Sequence, residues 1–78
     1  MALVRRMERT TLKFESVHGE VDCTYTVFHG EDGKRYFQVD TYGSPDRKLK
    51  GKKSQSLQFD EDSARELMAL IKAELGLR

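Results

Sequence analysis

Cysteine is almost absent from this chain: Cys23 stands alone among 78 residues. A single thiol excludes an intramolecular disulfide and leaves no cysteine-based metal framework, which fits a reducing compartment and points to the cytoplasm. Long apolar runs are missing too. None approaches the ~20 residues that cross a bilayer, and residues 1–6 carry no apolar stretch of a secretory signal, so no membrane partner is expected. Neither charge sign dominates, with 14 Lys and Arg against 13 Asp and Glu. The chain is also short. One domain with one small core is all that 78 residues allow, and a core of that size is marginal alone, which makes self-association an expectation.

The signatures of catalysis are lacking as well. Gly51-Lys52-Lys53-Ser54 resembles the end of a phosphate loop, but Asp46 occupies the place of the first glycine and the segment leads into a strand. His18, His29, Asp22 and Cys23 are the only plausible metal ligands, and they share no ligand spacing. Cys23 falls at an inward strand position, where it behaves as a small hydrophobe rather than a nucleophile. The acids Glu31-Asp32 and Asp60-Glu61-Asp62 lie in a turn and at a helix start, where capping explains them. No enzyme activity, metal or cofactor is expected.

What the sequence does contain is alternation followed by a helical stripe. Residues 1–10 lack periodicity and read as an N-terminal arm, leaving residues 11–78 as the domain. Leu12 and Phe14 alternate with polar neighbours and predict a first strand over 11–18, before Gly19. Residues 21–28 form a second half-buried strand, and Gly30-Glu31-Asp32-Gly33 is a hairpin turn before a third strand, 34–42. Gly43-Ser44-Pro45-Asp46 ends it. A fourth strand, 54–59, runs into Asp60 as helix N-cap, and Ala64, Leu67, Met68, Ile71 and Leu75 recur at helical spacing up to Gly76.

The predicted fold is therefore α+β: a curved, four-stranded antiparallel sheet covered by one C-terminal helix, β-β-β-β-α. Leu12, Phe14, Val21, Cys23, Tyr25, Val27, Phe37, Val39, Leu57 and Phe59 would face the helix. Lys13, Thr24, Thr26, Phe28, Tyr36, Gln38, Tyr42, Ser56 and Gln58 would face outward. Leu70 and Leu77 lie about 120° from the main stripe and, with Leu67, predict a homodimer seam on the helix.

Local charge speaks about a ligand. Arg47-Lys48-Leu49-Lys50-Gly51-Lys52-Lys53 places five cations in seven residues, between Tyr42 and the strand carrying Ser54, Ser56 and Gln58. Cations beside exposed rings suit single-stranded nucleic acid, in which phosphates follow a positive groove and bases stack on aromatics. Arg47, Lys48, Lys50, Lys52 and Lys53 would neutralise phosphates, Phe28, Tyr36 and Tyr42 would stack, and Ser54, Ser56 and Gln58 would offer hydrogen bonds.

Phe37-Gln38-Val39-Asp40-Thr41-Tyr42, the Gly/Lys connection, Ser54-Gln55-Ser56-Leu57-Gln58-Phe59-Asp60 and the amphipathic helix together resemble the positive cofactor four family of transcriptional coactivators and its short bacterial relatives. The likeness covers about residues 11–76 in element order, and its specific part is residues 37–60. It implies a homodimer whose helices pack together and whose curved sheets bind single-stranded DNA. The expected function is thus single-stranded DNA binding, DNA in preference to RNA, with little sequence specificity, in transcription, replication or repair. Its rivals are a protein-interaction or structural dimerisation module without nucleic-acid binding, and a duplex reader that lays the Tyr25–Tyr42 hairpin in the major groove.

Overall fold

The computed structural model describes residues 1–43 and 53–78. Four strands and one helix follow in order: β1 (Ala2–Val4), β2 (Cys23–His29), β3 (Arg35–Tyr42), β4 (Lys53–Phe59) and α1 (Glu61–Leu75). The sheet order is β1-β4-β3-β2. β2, β3 and β4 pair antiparallel as the alternation predicts, and β1 adds to the outer edge of β4 in parallel, so the sheet is mixed.

Two expectations fail here together. The first strand lies at Ala2–Val4, within the predicted arm, and residues 11–18 form no strand. Alternation stabilises a strand only where a ladder pairs its backbone and a covered face buries its apolar side. The outer edge of β4 is taken by Ala2–Val4, and Leu12, Phe14 and Val17 all lie exposed.

The hairpin follows its turn chemistry. Gly33 adopts φ 79°, the Gly33 N–H donates to the Gly30 carbonyl, and the Gly30 N–H donates to the Lys34 carbonyl. The Asp32 carboxylate accepts from the Tyr36 hydroxyl at 2.6 Å and the Lys34 N–H at 2.9 Å, which holds it below its ordinary value. A side chain at position 30 would meet the Tyr36 ring at 2.7 Å, so the ring lies directly on the turn backbone.

The helix is capped at both ends. Asp60 accepts the Ser63 N–H at 2.8 Å while the Ser63 hydroxyl accepts the Asp60 N–H at 3.0 Å, a reciprocal box that leaves Ser63 1% exposed. Glu61 and Asp62 complement the dipole, and Gly76 closes the other end at φ 64°. Only one residue separates β4 from α1, so the first turns pack on the end of the sheet, with Ala64 and Leu67 half-buried. The remainder leaves the sheet uncovered. Phe59 is the only buried hydrophobic residue among those described, whereas Tyr25 is 71% exposed, and Cys23, Val27, Met68, Ile71 and Leu75 are exposed too. The predicted helix-covered face is thus largely open, because a 15-residue helix leaving one corner cannot roof four strands. No helix among the described residues is long and apolar enough to cross a membrane.

The Ser63 backbone and hydroxyl hold the Asp60 carboxyl below the ordinary aspartate range. A depressed folded value gives stability that is present above the unfolded pKa, near 3.9, and is lost as pH falls through the folded value. Asp60→Ala is expected to lower the thermal midpoint by a few degrees near neutral pH and by less in acid. Circular dichroism melts at both pH values measure the difference.

Candidate nucleic-acid interface

Strand register sorts the outward face into rungs, since residues paired across strands share a side. Phe28 pairs with Tyr36 at the hairpin end. The next rung crosses all four strands as Thr26, Gln38, Gln58 and Leu3, and the third holds Thr24, Asp40 and Ser56. Tyr42 and Lys53 close the face where the basic connection begins. The Phe28 and Tyr36 rings stack at 5.7 Å and 24°, both half-buried. Tyr36 is tied at its hydroxyl to Asp32, which raises its pKa and keeps the phenol protonated. Tyr42 shares a 2.9 Å hydrogen bond with the Thr24 hydroxyl.

The third rung holds what the sequence reading missed. Asp40 is 2% exposed, and its carboxylate accepts from the Ser56 hydroxyl, from the Gln38 amide at 2.9 and 3.1 Å, and from the Lys53 ammonium at 3.3 Å. Ser56 first, then Gln38 and Lys53, hold the carboxyl below the ordinary range against burial, which raises it. The available signal was an aspartate in mid-strand, where strand propensity disfavours it. Gln38 belongs to the same cluster and was read only as an outward residue.

A bulge brings Lys53 to this cluster. Thr41 faces Gln55 and Tyr42 faces Lys53, so Ser54 is an extra residue on β4. Without it, Lys53 would share the apolar face with Gln55 and Leu57. With it, Lys53 points to Asp40. Lys53 is therefore engaged by a carboxylate rather than standing free for a phosphate, and Ser56 donates to Asp40 rather than standing free for a ligand. Ser54 is exposed, and Gln58 is half-buried with its Nε2–H donating to Gln38 Oε1 at 2.8 Å. Arg47, Lys48, Lys50 and Lys52 lie outside the described residues. The face thus brings together Phe28, Tyr36, Tyr42, Gln58, Ser56 and Lys53 of the predicted site.

Of the predicted seam, Leu67 is half-buried, and Leu70 and Leu77 are exposed on the helix and just beyond it. Arg9 reaches the helix C-terminal half through Glu74 at 2.8 Å. Among the described residues no group of three or more His, Cys, Asp or Glu is placed to hold a metal ion, and His18 and His29 are exposed.

Asp40→Ala would leave the Gln38 amide, the Ser56 hydroxyl and the Lys53 ammonium without their acceptor. It is expected to lower the denaturant midpoint more than Ser56→Ala or Lys53→Ala does. Because the folded carboxyl is depressed, the stabilisation is complete above about pH 4 and fades below it, so the gap between wild type and Asp40→Ala should narrow in acid. Guanidinium titrations at neutral pH and below pH ~3 follow the gap.

No protein-family model, curated protein or solved structure matches this chain, and the chemistry of the face rests on its own residues.

Proposed function

We propose that the protein is a cytoplasmic homodimer that binds single-stranded DNA with little sequence preference, without catalysis, in transcription, replication or repair. The observation that carries the binding is the outward face itself. An aromatic rung, Phe28 and Tyr36, stands about three rungs from Tyr42 and Lys53, where the basic connection enters the sheet. At ~3.3 Å per residue that is about 20 Å, room for several nucleotides between a stacking platform and the strand ends that flank the basic segment of the sequence. The buried Asp40 presents no free charge to a phosphate, because its partners neutralise and cover it.

The opposite face supports the dimer. Tyr25 and Phe37 stack on it at 5.4 Å and 10°, yet Tyr25 and Val27 remain exposed, together with Met68, Leu70, Ile71 and Leu75 on the helix. Large apolar faces left open on so small a chain mark an association surface. The same open face favours the second reading, a protein-interaction module without nucleic-acid binding, and the two separate on a single titration.

Binding to oligothymidine should weaken with salt at a log-log slope near −0.7 per phosphate neutralised. Lys50→Ala with Lys52→Ala should flatten that slope. Phe28→Ala should cost about 5- to 150-fold in affinity at unchanged slope, because stacking carries no counterion release. Fluorescence anisotropy at four salt concentrations measures both quantities, and an absence of binding leaves the interaction module. For the dimer, sedimentation equilibrium at micromolar concentration should return twice the 9.0 kDa chain mass, and Leu70→Asp should return the monomer with its sheet intact.

A further inference from the structure

Hydrogen-bond direction on the amide rung is dictated from one end. A carboxylate accepts and cannot donate, so Asp40 must receive the Nε2–H of Gln38. That turns Gln38 Oε1 toward Gln58, where it receives the Gln58 Nε2–H at 2.8 Å. The ladder therefore ends with the Oε1 and second N–H of Gln58. Gln58 is half-buried, and these two groups take no side-chain partner among the described residues. They border a hollow of about 280 Å³ whose walls include Leu3, Gln38, Lys53, Ser56 and Gln58.

We infer that the Gln58 carboxamide, held in one orientation by Gln38 and Asp40, reads the hydrogen-bonding edge of one nucleobase seated in this hollow. The inference rests on the single-strand reading above and adds a base-contacting group to it. A carboxamide offers an acceptor and a donor side by side, which matches the adjoining donor and acceptor of a base edge, as in the glutamine–adenine pair. Leu3 lies opposite Gln58 on the same side of the sheet and supplies apolar surface to the base, and the Phe28–Tyr36 rung lies one pleat away. A freely rotating amide would accommodate either order of donor and acceptor. A locked one distinguishes bases that offer an amino group from those that offer a keto oxygen at the same position. Asp40 and Gln38 are positioning residues here, and Gln58 makes the contact.

The test is base preference. Gln58→Glu replaces an ordered acceptor–donor pair with two equivalent acceptors, which take the cytosine amino N–H or the thymine N3–H alike. The preference of wild type between oligo-dC and oligo-dT should shrink several-fold, toward equal affinity, in Gln58→Glu. The added negative charge weakens both ligands alike and cancels in the ratio. Gln58→Leu, which cannot pair with any base, should lose about tenfold on both oligonucleotides while its circular dichroism spectrum and salt slope stay as in wild type. An unchanged ratio in Gln58→Glu, or unchanged affinity in a folded Gln58→Leu, with wild type still binding, overturns the base contact and leaves the single-strand reading standing. Wild type that binds neither oligonucleotide overturns both.

Discussion

A carboxylate removed from water needs donors on every side, and Asp40 collects them from two strands and from the mouth of the basic connection. Gln38 lies two residues away on β3, Ser56 lies directly across on β4, and Lys53 arrives through the bulge. These contacts are specific in a way that apolar packing is not. A slip of one residue in the β3–β4 register would move Ser56 off Asp40 and leave the charge buried and unpaired, at a cost that few contacts elsewhere would offset. The cluster therefore fixes register, the facing of Lys53 and the direction of the amide rung together.

The sheet has two unlike sides for a related reason. A helix that starts one residue after β4 and runs for 15 residues, about 22 Å, cannot both cap its own strand and span the sheet. Its capping box anchors the first turn over Phe59, and the Arg35–Glu61 ion pair at 2.6 Å ties that turn to β3. This holds the helix where it leaves Tyr25 and Val27 open on the apolar side. The polar side is settled internally by hydrogen bonds and an ion pair among Gln38, Asp40, Lys53, Ser56 and Gln58.

Much of this was legible because period-two alternation and cap residues write themselves into sequence. The hairpin between residues 21 and 42 and the helix from Asp60 to Gly76 lie within two residues of their expected bounds. Ala2–Val4 leaves no such trace, since three residues at an edge define no period, and Leu12 and Phe14 show that alternation without a free partner edge misleads. The faces of the β2 and β3 residues and of residues 55–59 were also legible, but their partners were not. Ser56 and Lys53 looked like ligand contacts because nothing local to them announces Asp40, which lies thirteen or more residues away in sequence.

The extra residue at Ser54 also has a consequence for how the chain can vary. Strand faces count in twos, so removing one residue at the foot of β4 would exchange the inward and outward identities of everything between it and the connection. The bulge confines that exchange to a single position. Residues 55–59 keep their facing through their own pairing with β3, and the bulge decides which way Lys53 alone points.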